Sequence, residues 1–226
     1  MPVHQSLIES KNLYINDPKF SLQGIKHHFK NLKTKTHVIN NGFEIPADSE
    51  LEKEPNSVIT VAVIDNKTRY YLKGIDKIAF LANEWPQMTF RIIGMTKKME
   101  LLNRLPSNVV VHDFLPFSEF NEYLKRSEFY LQPSVSEGFP NALAEGMLFE
   151  CIPIGSAVGG IPEIIGDTGY LLRKREDQEI LKDFKKALNT DQQTRKQQGN
   201  AARKRIMDHY PIQKRAEKFL RILQES

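Results

Sequence analysis

The 226-residue sequence has little cysteine, no long apolar run and no cluster of metal ligands. Its single cysteine, Cys151, excludes a disulfide framework within the chain and is typical of a reducing compartment. No apolar run approaches the roughly 20 residues that a membrane-spanning helix needs. The first residues, Met-Pro-Val-His-Gln, lack the apolar core of a signal peptide. We therefore expect a cytoplasmic protein, with the inner face of the membrane as an alternative location through peripheral contact.

Several kinds of active site are also missing. His27 and His28 are adjacent and point in different directions, and no spacing of His, Cys or Asp is that of a metal site. No Ser-His-Asp or Cys-His combination indicates nucleophilic catalysis. Cys151 begins an apolar stretch, which favours a buried structural thiol over a nucleophile. We expect neither a metal nor another cofactor.

The net charge is +4, and lysine and arginine concentrate in residues 173–221. A basic surface can bind nucleic acid or an anionic membrane. Acidic residues are interleaved with the basic ones, however, and no zinc-finger spacing or other nucleic-acid motif is present. A solvated helical surface is therefore favoured and no nucleic acid partner is expected, although a basic nucleic-acid-binding module remains an alternative.

Strand-like and helix-like apolar patterns alternate along the chain. The predicted strands are 58–65, 88–94, 108–114, 129–132, 152–155 and 170–172, and the predicted helices are 73–85, 97–105, 141–150 and those starting at 118 and 161. This alternation is typical of a doubly wound, Rossmann-like α/β domain, in which helices cover both faces of a parallel sheet. Ligands of such domains bind beyond the carboxyl ends of the strands, and Glu137 lies just past the fourth strand.

The two ends of the chain are less regular. Residues 12–15 and 36–39 resemble strands, residues 22–32 a helix, and residues 16–18 and 40–42 turns. Two strands and one helix cannot close a core alone. We expect residues 1–46 to be the remnant of another domain with its linker, and residues 47–226 to be the ligand-binding domain.

The C-terminal tail has one apolar helical face, formed by Ile212, Ala216, Phe219, Leu220 and Leu223. Packing against the same domain is the plain interpretation of this face. A cover over an interface with another domain is the alternative.

The segment from Glu137 to Glu145, EGFPNALAE, is the most informative. Its two carboxylates bracket the predicted start of a helix at Asn141. The exposed N–H groups of a helix N-terminus can hold a phosphate, and carboxylates accept hydrogen bonds from sugar hydroxyls. The arrangement suits a nucleoside diphosphate sugar. The plain alternatives are a helix-capping carboxylate for Glu137 and a solvated helical residue for Glu145.

The longer run 134–172 resembles the nucleotide-sugar signature of glycosyltransferase family 4, whose members are retaining enzymes of the GT-B fold. The matching features are the Glu-x7-Glu pair, the Gly-Phe-Pro turn, Pro153, Gly159-Gly160, Glu163 and Gly169. The resemblance implies the C-terminal, donor-binding half of a GT-B glycosyltransferase. Such an enzyme would transfer a hexosyl group from a nucleoside diphosphate sugar to a hydroxyl acceptor, in surface polysaccharide or glycolipid synthesis.

The resemblance also implies roles for individual residues. Glu137 would hold hydroxyls of the donor sugar and stabilise charge at the anomeric carbon, and Glu145 would accept hydrogen bonds from the ribose. Lys73 and Arg69 would contact the diphosphate and offset the charge of the leaving group. The spacing of this loop departs from the family pattern, so Lys67 is an alternative to Arg69.

Further substrate-binding positions follow from the same resemblance. The turn after Glu137 and the start of the helix contribute Gly138, Phe139, Pro140, Asn141, Ala142 and Leu143. After the third strand, Phe114 and Leu115 would hold the nucleobase through backbone groups. Pro116 stands where many relatives have glycine, so this last site departs from the family pattern.

The partner implied by the resemblance is an acceptor-binding domain. The segment HVINNGFE resembles the place where family members pass from the N-terminal domain into the donor domain. The carbohydrate or glycolipid acceptor would be bound by that missing GT-B domain or by a partner chain, as expected for a split protein, a truncated gene or a trimmed sequence. Two alternative functions are a non-catalytic nucleotide-sugar-binding subunit that needs a partner chain and a GT-B-type nucleotide-sugar 2-epimerase.

Overall fold

The structure, a computed structural model, describes residues 12–15, 27, 35–47, 52–97 and 100–225. The strands are β1 (Asn12–Ile15), β2 (Lys35–Val38), β3 (Glu54–Ile64), β4 (Thr89–Met95), β5 (Val109–His112), β6 (Ser127–Gln132), β7 (Ile152–Ser156) and β8 (Tyr170–Leu172). The helices are α1 (Lys67–Leu72), α2 (Ile75–Glu84), α3 (Phe117–Arg126), α4 (Asn141–Leu148), α5 (Ile161–Ile165), α6 (Asp177–Leu188), α7 (Gln192–His209) and α8 (Ile212–Gln224).

Strands β3 to β8 form one six-stranded sheet in the order β5-β4-β3-β6-β7-β8, and every neighbouring pair is parallel. The chain enters at β3, winds outward to β5, and then crosses back to β6 on the other side of β3. This is the doubly wound order, and β3 and β6 lie at its topological switch point. The predicted Rossmann-like α/β fold is therefore confirmed.

Helices cover both faces of this sheet, and a hydrophobic cluster fills the space beneath each face. One cluster joins the sheet to α2 and α6, where the rings of Phe90 and Phe184 stack with centroids 6.3 Å apart. The other joins it to α3, α4, α5 and α7 and contains Tyr130, Leu143 and Ile206. Strands such as β7 are buried at every position, because both of their faces are covered.

The predicted elements differ from the observed ones in two places. The helix predicted at 73–85 is confirmed as α2, which begins at Ile75 because Gly74 before it adopts a left-handed conformation (φ 71°), whereas α1 was not predicted. The helix predicted at 97–105 is, in its described part, a short 3-10 helix at Glu100–Arg104. The basic region 173–221, which the pattern described only as helical, contains α6, α7 and most of α8.

The N-terminal strands are confirmed, since β1 and β2 form a separate two-stranded parallel sheet. The predicted turn at 16–18 lies outside the described residues, as does the predicted helix at 22–32 except for His27. After β2, the chain runs along the six-stranded domain, where the Phe43 N–H donates to the Tyr210 carbonyl at 2.9 Å. A domain boundary between residues 46 and 47 stays a prediction.

Helix α8 does not pack as the plain interpretation of its apolar face expected. Ile222, which lay outside the predicted face, is buried, whereas Leu220 and Leu223 are 58% and 54% exposed. An interface role for this face stays a prediction. None of the helices in the described ranges combines the length and the apolar character that crossing a bilayer requires.

Candidate functional site

The carboxyl ends of β3 and β6 carry the two loops that form the candidate site. The chain that leaves β3 passes through α1 to Lys73, and the chain that leaves β6 reaches Glu137 five residues after Gln132. The N–H of Val135 donates to the Leu72 carbonyl at 2.8 Å and ties the two loops together. Since β3 and β6 flank the switch point, this is the position where doubly wound sheets bind ligands.

A lysine and a glutamate meet at this position although 64 residues separate them. Lys73 Nζ donates to Glu137 Oε1 at 2.6 Å, and the buried Ser134 hydroxyl donates to the same oxygen at 2.8 Å. The side chains of Lys73 and Glu137 are 29% and 11% exposed. Because both donors use one carboxylate oxygen, Glu137 is held in place while its Oε2 can still accept a hydrogen bond from a ligand.

Two glycines allow the surrounding backbone to come this close. A Cβ atom at Gly74 would lie 2.0 Å from the Pro133 carbonyl oxygen, and one at Gly159 would lie 1.7 Å from the Glu137 carbonyl oxygen. Both glycines have positive φ, at 71° and 53°, which side chains disfavour. A larger residue at either position would displace the loop that carries Lys73 or Glu137.

The turn after Glu137 leads directly into α4. Gly138 is exposed, and a Cβ atom there would enter open space. Within the described residues, no side chain caps the N-terminus of α4, which begins at Asn141 after the buried Pro140. The free N–H groups of a first helical turn are suited to binding an anion. The structure thus places an uncapped helix start beside the Lys73–Glu137 pair, while Ala142 is half-buried and Leu143 lies in the core.

Glu145 lies one helical turn into α4, on the same side of the helix as Asn141. Burial raises the pKa of its carboxyl above the ordinary value of 4.5. In the part of the chain that the structure describes, this carboxylate has no hydrogen-bond or ion-pair partner. A carboxylate that is partly buried without a cation is costly to the fold and is characteristic of functional sites.

Phe139, predicted to bind substrate, has its ring among protein side chains. It stacks on Phe43 with ring centroids 6.2 Å apart and meets Tyr210 edge-on at 5.5 Å. The backbone of this residue remains part of the turn before α4, because its carbonyl accepts from the Asn141 N–H at 3.0 Å.

The remaining predicted cations do not join the Lys73–Glu137 contact. Arg69 lies in α1 and pairs with Asp65 at 2.8 Å, and both side chains are about half exposed. Lys67 is exposed in the first turn of the same helix. Which of Arg69 and Lys67 would be the second cation at a phosphate stays a prediction.

The residues predicted to hold a nucleobase follow β5, at the same edge of the sheet. The Phe114 side chain is 75% exposed, and its N–H donates to the Asp113 carboxylate at 2.8 Å. Leu115 is half-buried against the cluster beneath α4. These placements leave the predicted nucleobase contact untested.

Sequence reasoning gave no role to two residues that shape the site. Ser134 fixes Glu137, and its position three residues before a loop carboxylate was the available signal. Arg175 follows β8 and donates to the Pro133 carbonyl at 2.9 Å, which supports the loop on which Gly74 packs. No local pattern indicates that contact, because it joins residues 42 positions apart.

The described residues contain no group of three or more His, Cys, Asp or Glu side chains that could hold a metal ion. Cys151 is fully buried, as predicted, and burial raises the pKa of its thiol although Lys53 is close by. A protonated buried thiol is a poor nucleophile, so Cys151 has a structural role.

Comparison with known families gives the class of the protein. Residues 42–205 match the family of glycosyl transferases group 1, so the chain belongs to this family. The predicted likeness to GT-B glycosyltransferases is thereby confirmed, whereas membership of family 4 and a retaining mechanism stay predictions.

Two curated relatives illustrate the match. The trehalose synthase of Pyrococcus horikoshii is 31% identical over 141 residues, which cover 61% of this chain and 31% of that protein. The capsular polysaccharide biosynthesis glycosyltransferase CapH of Staphylococcus aureus is 32% identical over 133 residues, which cover 55% of this chain and 37% of that protein. The chain therefore spans about a third of the length of these relatives.

A solved structure shows the same fold. A mutant of TarM from S. aureus, in complex with Fondaparinux, alpha-GlcNAc-glycerol and UDP, superimposes with a TM-score of 0.78 at 15% identity. The alignment covers 96% of this chain and 44% of that one. The likeness confirms the predicted GT-B-type fold, of which this chain is a part.

Proposed function

We propose that this chain is the donor-binding half of a retaining glycosyltransferase that takes a hexosyl group from a nucleoside diphosphate sugar. The observation that carries the proposal is the Lys73–Glu137 pair, 2.6 Å apart at the switch point of the sheet. The uncapped start of α4 lies beside it, and Glu145 follows one turn later. Together these groups offer a cation, polarised N–H groups and two carboxylates to one ligand.

Each part of a nucleoside diphosphate sugar has a matching group. The diphosphate would bind the Lys73 ammonium and the first-turn amides of α4, because both favour negative charge. The ribose hydroxyls would donate to the Glu145 carboxylate, which gains the hydrogen bonds that it lacks in the free protein. The sugar hydroxyls would donate to Glu137 Oε2. Lys73 then lies between the anionic leaving group and the carboxylate.

The transfer of the hexosyl group would require few further groups from the protein. As the bond between the anomeric carbon and the phosphate oxygen breaks, charge grows on the diphosphate, where Lys73 and the helix start stabilise it. Glu137 would stabilise the positive charge that develops on the sugar. In a retaining transfer the donor phosphate itself takes the acceptor proton, so no protein base is required. The ammonium and the helix start would take the place of a divalent cation.

The acceptor would be a carbohydrate or glycolipid hydroxyl bound by a second domain. Support for this second domain comes from coverage, since the chain spans about a third of the length of the relatives described above. Support for surface polysaccharide synthesis comes from the name of CapH, a capsular polysaccharide glycosyltransferase. The same polypeptide or a partner chain would supply this domain, and the donor and acceptor sites would then face one cleft.

Calorimetric titration of the chain with UDP, GDP and ADP tests the donor site. We expect at least one nucleoside diphosphate to bind, and Lys73→Ala to weaken that binding by about 1.5–3 kcal/mol through the lost charged hydrogen bond. Lys77→Ala is the matched control, because Lys77 lies one turn away in α2 and pairs with Asp177 at 2.8 Å. The absence of binding to all three nucleotides, or an equal loss in both variants, would refute the proposal.

A further inference from the structure

The segment of residues 39–46, here called the linker, contacts the loop that carries Glu137. Three aromatic rings make this contact. Phe139 stacks on Phe43 of the linker at 6.2 Å with an interplanar angle of 22°, and meets Tyr210 at 5.5 Å with an angle of 72°. Phe43 and Tyr210 are both buried. Offset stacks and edge-on contacts of this kind are the favourable arrangements of aromatic pairs.

The backbone fixes the position of Phe43 in this cluster. Its N–H donates to the Tyr210 carbonyl at 2.9 Å, and its carbonyl accepts from the Ile212 N–H at 3.0 Å. The linker is therefore held like a short strand against the turn between α7 and α8. Gly42 lies so close to this turn that a Cβ atom there would be 2.7 Å from Ile212 Cα. These backbone contacts hold Phe43, and with it its ring, in a fixed position.

Hydrogen bonds also connect the linker to both ends of α4. At the start of the helix, Asn41 Nδ2 donates to Asn141 Oδ1 at 2.7 Å. At its end, the guanidinium of Arg203 donates to the carbonyls of Leu148, at 3.1 Å, and of Pro46, at 2.9 Å. The helix whose first turn faces the site is therefore connected to the linker directly at its start and through Arg203 at its end.

We propose that Asn41 and Phe43 are positioning residues that hold the Glu137 loop and the first turn of α4 in the geometry that binds a donor. Phe139 lies two residues after Glu137 and two before Asn141, so the loop cannot shift without moving its ring out of the aromatic cluster. One consequence is that donor affinity depends on the linker, and this consequence rests on the proposed function. Any domain that precedes the linker would then be coupled to the donor site, and the coupling would act in both directions.

Hydrogen exchange of the 226-residue chain without ligand tests the positioning directly. We compare the wild type with Phe43→Leu and Asn41→Ala, and use Phe184→Leu as the matched control. Phe184 is also a buried aromatic residue, and it stacks on Phe90 beneath the opposite face of the sheet. We expect amides of residues 137–143 to exchange at least about threefold faster in both linker variants, because local opening becomes easier. In the control they should exchange at the wild-type rate.

Two outcomes would overturn the inference. One is an unchanged exchange rate of residues 137–143 in both linker variants, and the other is an equal rise in Phe184→Leu. Asn41→Ala keeps the test decisive if Phe43→Leu folds poorly, because it removes only an exposed hydrogen bond. The dissociation constant for UDP or GDP is the second readout, expected to rise about three- to tenfold in the linker variants and less than about twofold in the control. If the wild type binds none of UDP, GDP and ADP, the proposed function fails while the exchange rates still decide the positioning.

Discussion

The two edges of the six-stranded sheet carry similar charged residues but use them differently. At the amino edge, Glu128 and Arg195 pair at 3.1 Å with side chains only 6% and 13% exposed, and Glu128 also accepts from the Asn56 N–H at 2.8 Å. Nearby, the Lys53 ammonium donates to backbone carbonyls of Leu124, Ser127 and Phe149. These charges are satisfied by the protein itself.

At the carboxyl edge the charges keep capacity for a ligand. Lys73 and Glu137 are paired, but both donors to Glu137 use its Oε1. Its Oε2 can therefore still accept a hydrogen bond from a ligand. Glu145 is partly buried, and its raised pKa reflects burial without a compensating cation. The comparison teaches that residue type alone does not separate a structural charge from a functional one. What separates them is whether the hydrogen-bonding capacity is filled by the folded chain.

The largest effect expected from this comparison is on stability, at the amino edge. Arg195→Met leaves the Glu128 carboxylate buried without its cation, so the free energy of unfolding should fall by about 3 kcal/mol. The affinity for a nucleoside diphosphate should stay at the wild-type value, because this pair lies at the opposite edge from the site. Urea denaturation and calorimetric titration measure the two quantities. A large loss of affinity in a folded Arg195→Met protein would break the distinction between the edges.

The next effect is on binding, at the carboxyl edge. Glu145→Gln replaces an ionised acceptor of the ribose hydroxyls by a neutral one, so nucleoside diphosphate binding should weaken by about 1–2 kcal/mol. Glu122→Gln is the control, since Glu122 is exposed in α3 and pairs with Lys125 at 2.7 Å. Calorimetry with UDP or GDP measures the difference. Equal affinities of the wild type and Glu145→Gln would remove Glu145 from the site.

The smallest effect is a pH-dependent gain in stability from Glu145→Gln. Burial raises the pKa of Glu145 above 4.5, so the folded chain binds this proton more tightly than the unfolded chain. The contribution of Glu145 to stability is thus fully present at low pH and is lost as the pH rises from 4.5 through the folded pKa. The stability of Glu145→Gln relative to the wild type should therefore increase as the pH rises from 4 to 7. Thermal unfolding at both values measures it, and a gain confined to pH 4 would contradict the burial of an unpaired carboxylate.

The sequence was sufficient for the fold and for the sheet edge at which the candidate site lies. Alternating strand and helix patterns predict a doubly wound sheet, and the place of Glu137 after the fourth strand puts it at the carboxyl edge. The helix α1 was missed, although Asn66 is a typical helix-capping residue whose side chain accepts from the Arg69 N–H at 2.9 Å. The predicted start of the next helix, at Lys73, lies two residues before the observed start at Ile75, since a left-handed glycine at residue 74 leaves no periodic signal.

Contacts between distant segments could not be predicted from local patterns. Phe139 belongs to the motif whose resemblance implied substrate contact, and its ring packs between Phe43 and Tyr210, which lie 96 positions before it and 71 after it. The exposed Leu220 and Leu223 have the same periodicity as a buried helix face. Periodicity predicts which face of a helix is apolar, but the partner that covers that face depends on tertiary structure.

The most direct test of the account is hydrogen exchange of the wild-type chain with and without a saturating nucleoside diphosphate. We expect the nucleotide to slow exchange in residues 69–75 and 134–145, which carry Lys73, Glu137 and Glu145, and to leave residues 52–57 and 192–199 at the amino edge unchanged. Protection confined to the amino edge, with residues 134–145 unchanged, would contradict the assignment of the donor site.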